Sequence, residues 1–245
     1  MTEKTKFPPT LRIGVLVYEG FEPIDVWGFS EAFTISRFLG TGYQSPPAYP
    51  FEVLLISNEV RPKGKPSAAP APVKSSNGPR VAPDMFRDDA LKQSFELFMI
   101  PGGQTWLVLN PKEPKAVKEL VAWVRAMDKR CRITTSVCTG AAVLAHAGLL
   151  DGKRATTNHN AFAWVTSFGP RVLWDSVSRW VDDGKYVTSA GVSAGTDMAF
   201  HLVGRLRGRA VAEAAAKEAE YDWHRDPQQP IFYPQQAVVP PSASS

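Results

Sequence analysis

The chain has 245 residues, 44% of them hydrophobic, and its 28 lysines and arginines against 24 acidic residues give a formal charge of +4. A chain of this length buries most of its apolar surface on folding, so it needs neither a disulfide framework nor a structural metal for stability. The basic residues are spread along the chain with acidic residues between them, a distribution that argues against a nucleic-acid-binding protein.

The cellular compartment is predicted from the N-terminus and the cysteines. Residues 1–6 carry no apolar core of a signal peptide, and no run approaches the ~18–20 apolar residues that span a bilayer. Cys131 and Cys138 are the only cysteines, and a strand between them would separate them by more than ~20 Å, beyond the ~7 Å limit for a disulfide. We therefore expect two free thiols in a cytoplasmic protein that does not associate with membranes. The histidines and cysteines show no metal-ligand spacing, so we predict no metal site.

The first third of the chain predicts a βαβ unit. Two apolar runs at 13–17 and 51–56 are typical of buried strands, and they flank a helical stretch from about Asp25 to Phe38. Residues 61–83 are rich in Pro, Ala, Lys, Ser and Gly without periodicity. This segment is predicted to be a long, exposed, inserted loop.

The middle of the chain continues the alternation of strands and helices. Strands are predicted at 95–100 and 133–137, with an amphipathic helix over 112–127 between them. The alternation predicts an α/β fold in which a parallel sheet is covered by helices on both faces.

The C-terminal third predicts smaller elements. These are a close-packed helix over 140–150, a short strand at 154–156, a hairpin over 180–188, and helices over 194–206 and 210–220. Residues 227–245, rich in Pro, Gln, Ala and Ser, are predicted to be an irregular tail. No internal repeat is present, so we expect one domain over 1–245.

The stretch 133–142 predicts a nucleophile elbow at Cys138. A β-rich run ends at this cysteine, and Ser136 and Gly140, two residues to either side, are small enough for a strand to turn sharply into a helix. The amide groups and the helix N-terminus that follow predict a stabilised thiolate with a lowered pKa. The alternative is that Cys138 is a small, buried, structural side chain.

Taken together, the motifs resemble the ThiJ/PfpI family of the class I glutamine amidotransferase-like superfamily, and most closely its isonitrile hydratase branch. The resemblance covers residues 11–225, and its motifs are IGVLV (13–17), IDVWG (24–28), IPGG (100–103), TSVCTG (135–140), AGLLDGKRATT (147–157) and SAGVSAGTD (189–197). It implies a flavodoxin-like sandwich that uses no cofactor and pairs as a homodimer. It also implies that Cys138 is the nucleophile, that Asp25 is the acid beside it, and that the N–H groups of Gly103 and Thr139 form the oxyanion site.

The positions of these residues agree with that assignment. Asp25, Gly103 and Cys138 each follow a predicted strand, and the carboxyl ends of parallel strands share the edge where such sheets place their sites. A carboxyl near a thiolate and partly removed from water has a raised pKa, so we expect Asp25 to donate a proton. Capping of the helix that begins there is the alternative role for Asp25.

Four further residues are candidates for a supporting shell. Gly102 adjoins the oxyanion site, while Glu31 follows Asp25 on the predicted helix, where a solvated position is the alternative. Relatives often carry a histidine directly after the threonine pair at 156–157, but this chain has Asn158 in that place and His159 one residue later.

The resemblance implies a cysteine-dependent hydratase, a lyase that converts a small isonitrile to an N-substituted formamide. Peptidase relatives have histidine after the cysteine, and Thr139 in that place weakens a protease interpretation. The alternatives are a redox-sensing or regulatory protein with an oxidisable Cys138, and a glyoxalase- or hydrolase-type enzyme. Regulators of the AraC type share these motifs but carry a further helix-turn-helix region, which we do not find in this sequence, so we expect a small-molecule substrate and no nucleic-acid partner.

Overall fold

The computed structural model describes residues 7–41, 49–78 and 80–229. The strands in this part of the chain are β1 (Leu11–Val17), β2 (Phe51–Ser57), β3 (Val73–Lys74), β4 (Arg80–Val81), β5 (Met85–Phe86), β6 (Leu97–Ile100), β7 (Ile133–Ser136), β8 (Arg154–Ala155), β9 (Leu173–Trp174), β10 (Trp180–Asp183) and β11 (Tyr186–Ser189). The α-helices are α1 (Pro23–Thr34), α2 (Arg87–Ala90), α3 (Pro114–Asp128), α4 (Ala141–His146), α5 (Phe162–Thr166), α6 (Val192–Arg207) and α7 (Arg209–Glu218). Two 3₁₀ turns lie at Thr105–Leu107 and Cys138–Gly140.

The described residues form a seven-stranded central sheet with the order β10-β11-β7-β6-β1-β2-β5. Neighbouring strands are parallel except for the hairpin of β10 and β11. In β1 the side chains of Ile13, Val15, Leu16 and Val17 are all fully buried. A strand that is apolar on both faces needs cover on both faces, which helices provide in this α/β, flavodoxin-like fold.

Close approaches of glycines set the distance between the layers. A Cβ atom on Gly28 of α1 would lie 2.4 Å from Oγ1 of Thr196, so α1 packs directly against α6. A Cβ on Gly195 of α6 would lie 2.6 Å from Cγ1 of Val137, the residue before Cys138. The sheet, α1 and α6 therefore meet beside the turn that contains Cys138.

Most predicted elements are confirmed. The strands predicted at 13–17, 51–56, 95–100 and 133–137 correspond to β1, β2, β6 and β7, and the predicted hairpin corresponds to β10 and β11. The helices predicted over 112–127, 194–206 and 210–220 correspond to α3, α6 and α7, whereas α4 is shorter than the predicted helix over 140–150. Residues 1–6, and 230–245 of the predicted tail, lie outside the described residues. None of the described helices is long and apolar enough to cross a membrane.

The predicted extension of the first helix to Phe38 is wrong, because the helix ends at Thr34. Beyond Thr34, side chains donate hydrogen bonds to the backbone carbonyls at the end of the helix. The Ser36 hydroxyl donates to the Ala32 carbonyl at 2.7 Å, and Arg37 donates to the Thr34 carbonyl at 2.7 Å. These local bonds offer the backbone an alternative to a further helical turn.

The segment 61–83 is not only an exposed loop. It contains the two-residue antiparallel pair of β3 and β4. The Gly20 N–H donates to the carbonyl of Lys74 at 2.8 Å, and the Ser76 N–H donates to the carbonyl of Phe21 at 2.8 Å. The insertion therefore lies along the chain between β1 and α1, next to the candidate site.

Candidate active site

Cys138 follows β7 in a left-handed backbone conformation with φ of +57°. This conformation is uncommon for a residue other than glycine and persists where the surrounding structure fixes it. The Cys138 N–H donates to the Ala190 carbonyl at 3.0 Å, and its own carbonyl accepts the Thr157 hydroxyl at 2.8 Å. The side chain is only 6% exposed. Both polar backbone groups of this residue are thus held in place.

Asp25 lies in the first turn of α1 and is completely buried. Its Oδ2 accepts the Gly102 N–H at 2.7 Å, whereas Oδ1 has no hydrogen-bond partner in the part of the chain that the structure describes. Burial raises the Asp25 pKa to about 8, and the nearby charge of Glu22 acts in the same direction, while the Gly102 hydrogen bond opposes them. A mostly protonated carboxyl at neutral pH follows. The residue at the helix N-cap is Glu22, so the alternative role of Asp25 as the cap is wrong.

Three donors surround the sulfur of Cys138. Hydrogen bonds from the Thr139 N–H, the Asn158 side chain and the Gly103 N–H lower the thiol pKa. Burial, and then the charge of Asp25, outweigh them and raise this pKa to about 12. The expectation of a lowered thiol pKa is therefore wrong, because desolvation penalises the thiolate more than the donors stabilise it. The resting group is a thiol.

Two glycines let the loop after β6 touch the Cys138 turn. A Cβ on Gly102 would lie 2.6 Å from the Thr139 nitrogen and 2.8 Å from the Cys138 Cβ. Gly103 has φ of +105°, and a Cβ there would lie 2.3 Å from the Gly20 carbonyl oxygen. A larger residue at Gly102 would push the loop away from the cysteine, and one at Gly103 would push it away from the segment between β1 and α1.

Asn158 stands where relatives often have histidine, and the structure brings its amide to the thiol. Its Oδ1 accepts the Ala161 N–H at 3.0 Å, which leaves Nδ2 as the donor. His159 is not among the groups that hydrogen-bond the sulfur, and its buried Nε2 has no partner within the described ranges. Glu31 is exposed, and its carboxylate accepts a 3.5 Å hydrogen bond from Thr34 on its own helix, which agrees with a solvated helix position.

The structure also shows site neighbours that sequence reasoning missed. The Tyr18 hydroxyl lies 2.8 Å from the carbonyl oxygens of both Pro101 and Gly102. Thr105 lies between this hydroxyl and Thr139, at 3.1 Å from the first and 2.7 Å from the second. Tyr18 directly follows β1, so its place at the carboxyl end of a strand was the available signal. Among the described residues, no cluster of three or more His, Cys, Asp or Glu side chains could hold a metal ion.

The curated relatives of this chain include an enzyme and a transcriptional regulator. Isonitrile hydratase of Pseudomonas putida is 33% identical over 150 residues, which is 61% of each chain. The HTH-type transcriptional regulator CdhR of Pseudomonas aeruginosa is 32% identical over 154 residues, which is 62% of this chain and 43% of the regulator. The chain thus spans less than two thirds of the length of these relatives.

A solved structure and a family of sequences each match most of this chain. A ThiJ/PfpI family protein from Pseudomonas syringae has a TM-score of 0.69 at 24% identity, over 90% of this chain and 78% of that one. Residues 12–205 match the DJ-1/PfpI family. The chain therefore belongs to the DJ-1/PfpI family.

Proposed function

We propose that this protein is a cysteine-dependent enzyme that adds water to a small organic substrate, converting an isonitrile to an N-substituted formamide. The observation that carries the proposal is the buried Asp25 carboxyl. Its Oδ1 is unpaired within the described residues, and its pKa of about 8 keeps a proton on it at neutral pH. An acid held in this state near a thiol can protonate a substrate that has no proton of its own. Similarity to isonitrile hydratase supports the choice of substrate class.

The reaction is an addition in which no oxidant is needed. Asp25 gives its proton to the terminal carbon of the isonitrile, the sulfur of Cys138 bonds to the same carbon, and the thiol proton returns to the Asp25 carboxylate. Water then adds to the thioimidate, its oxygen bonding to the carbon and one of its protons going to the substrate nitrogen. The carbon–sulfur bond breaks as the hydroxyl proton passes to the sulfur, which restores the thiol and releases the formamide.

The donors around the sulfur supply the electrostatic part of the mechanism. The N–H groups of Gly103 and Thr139 and the Asn158 amide face the sulfur, which gains negative charge as its proton leaves. Donors already fixed in a buried site need no reorganisation when this charge develops, and each is typically worth about 10²–10³-fold in rate.

Two observations bear on the alternatives. A redox sensor reacts through its thiolate, which the raised pKa of Cys138 disfavours. A hydrolase needs a base beside the cysteine, and the amide of Asn158 cannot take up a proton.

Similarity to CdhR favours a ligand-sensing domain as the second candidate. Turnover separates the two, since a sensor binds its ligand without consuming it.

The test compares the two cysteines, which are both 6% exposed. Burial raises the pKa of Cys131, like that of Cys138, to about 12. The purified protein is incubated with aliphatic and aromatic isonitriles and with 2-oxoaldehydes, and products are quantified by NMR. We expect many turnovers of an isonitrile by the wild type and by Cys131→Ser, and none by Cys138→Ser. Absence of isonitrile turnover, or turnover by Cys138→Ser, would overturn the proposal.

A further inference from the structure

One phenol anchors the loop that carries two of the amide groups of the site. Tyr18 is 2% exposed, and its hydroxyl lies 2.8 Å from the carbonyl oxygens of Pro101 and Gly102. In a trans peptide the C=O and the N–H lie in one plane and point in opposite directions. A contact that fixes the carbonyl therefore fixes the direction of the N–H in the same peptide.

The two anchored peptides are those that face the reacting groups. The Pro101 carbonyl shares its peptide with the Gly102 N–H, which donates to Asp25 at 2.7 Å. The Gly102 carbonyl shares its peptide with the Gly103 N–H, which hydrogen-bonds the sulfur of Cys138. The Gly102 carbonyl also accepts the N–H of Glu22 at 3.0 Å.

The direction of the hydroxyl hydrogen bonds extends this anchoring to the third amide. The single proton of Tyr18 points to a carbonyl, so the Thr105 hydroxyl must donate to the phenol oxygen, over 3.1 Å. The Thr139 hydroxyl can then donate to Thr105, over 2.7 Å, or to the Gly103 carbonyl of the anchored loop, over 3.3 Å. The N–H of the same threonine is the other backbone donor to the sulfur. Tyr18 thus contacts the peptides of the Gly102 and Gly103 N–H groups directly and is connected to Thr139 through Thr105.

We propose that Tyr18 is a positioning residue, whose hydroxyl aims the N–H groups of Gly102 and Gly103 at Asp25 and Cys138. Its effect on turnover rests on the proposed function, whereas its effect on the cysteine does not. Removal of the hydroxyl takes away the one proton that the two carbonyls share, leaves the Gly102 carbonyl with only the Glu22 N–H, and lets the loop rotate. The donors that lower the thiol pKa are then weakened, so Cys138 reacts more slowly.

The experiment compares Tyr18→Phe with Tyr221→Phe, each made in a Cys131→Ser background. Tyr221 is the matched control, because its hydroxyl donates to Asp197 at 3.0 Å, far along the chain from the loop. Iodoacetamide alkylation of Cys138 is followed between pH 8 and 10, and kcat and KM are measured on the best isonitrile. We expect Tyr18→Phe to slow alkylation and lower kcat by about tenfold or more with little change in KM. Tyr221→Phe should lower only the melting temperature.

Alkylation rates for Tyr18→Phe that equal those of its parent would overturn the proposal. If Tyr18→Phe does not fold, Thr105→Val provides the second test, because it breaks the link to Thr139 and should also slow alkylation. Slower alkylation in a protein that turns over no isonitrile would refute the proposed reaction while supporting the positioning role. The two proposals therefore fail in distinguishable ways.

Discussion

Asp25 and Cys138 are both kept neutral by the exclusion of water from the edge of the sheet. Burial is the largest cause of each raised pKa, and Asp25, once it is ionised, further raises the pKa of the cysteine. A resting acid and thiol suit the addition of S–H to one carbon better than attack by a preformed thiolate. The chemistry of the site thus follows from desolvation more than from neighbouring charges.

Asp25→Asn removes the proton donor but keeps the size of the side chain and its hydrogen bond from Gly102. The asparagine oxygen can still accept the Gly102 N–H, and the amide group replaces the oxygen that has no partner among the described residues. We expect turnover to fall by about 10²–10⁴-fold, the usual contribution of a positioned proton donor. Initial rates on the best isonitrile measure this effect. Wild-type rates in the variant would show that another group supplies the proton.

The same variant should also change how the stability of the protein depends on pH. The Asp25 pKa is raised from 3.8 to about 8 in the folded protein, so the stability that depends on the neutral carboxyl is complete below about pH 4. This stability is lost as the pH rises through about 8, because the unfolded chain releases the Asp25 proton at a lower pH than the folded protein does. Asparagine does not ionise, so Asp25→Asn should gain in melting temperature relative to wild type from pH 4 to 8. A pH-independent difference would contradict the raised pKa.

At the scale of residues, the rule that site residues follow strands identified the candidate site residues but not the groups to which they hydrogen-bond. Asp25, Gly103 and Cys138 were found because they follow predicted strands, and the structure brings them together. Tyr18 also follows a strand, yet a tyrosine there looks like an ordinary core aromatic. Its contacts depend on carbonyls 83 and 84 residues away, which no local pattern encodes.

At the scale of elements, long apolar runs predicted the strands well and short elements poorly. β5, at the edge of the sheet, and β9 have two residues each, too few for a periodic signal. The overextended first helix has a different cause. Ile35 and Phe38 continue an apolar pattern, but the hydrogen bonds of Ser36 and Arg37 end the helix before them.

Two glycines of α6 provide a prediction about element packing. A Cβ on Gly195 would lie 2.6 Å from Cγ1 of Val137, a β-branched side chain that cannot easily rotate away. Gly195→Ala should therefore lower the free energy of unfolding by about 1–3 kcal/mol. On Gly204 the nearest atom to a new Cβ is 3.6 Å away, so Gly204→Ala should raise it by up to about 1 kcal/mol through helix propensity. Urea unfolding measures both, and shifts of the same sign would contradict the packing argument.

At the scale of the whole molecule, hydrogen bonds link the cysteine to the last described segment. The Cys138 N–H donates to the Ala190 carbonyl, the Ala190 N–H to the Arg179 carbonyl at 2.8 Å, and the Arg179 N–H to the Pro227 carbonyl at 2.8 Å. These backbone bonds connect the last described segment to the turn at Cys138, and the Tyr221 hydroxyl is not one of their groups. A single domain over 1–245 and a homodimer remain predictions.

Asp197 of α6 holds this segment from the other side. It is completely buried and forms an ion pair with Arg179, which is 6% exposed. Its Oδ1 also accepts the Tyr221 hydroxyl and the His224 N–H, each at 3.0 Å. One carboxylate thus joins α6, the residue before β10 and the segment after α7.

Loss of that carboxylate charge should destabilise the whole molecule. Asp197→Asn leaves the guanidinium of Arg179 buried without a counter-charge, and breaking a buried pair in this way typically costs about 3–5 kcal/mol. Glu52→Gln is the control, because its pair with Arg12 joins side chains that are 47% and 46% exposed, and exposed pairs contribute about 1 kcal/mol or less. Urea unfolding followed by tryptophan fluorescence gives both free energies. A loss below 1 kcal/mol in Asp197→Asn would show that the charge of Asp197 is not needed and that the hydrogen bonds which asparagine can still accept are enough to hold the segment after α7.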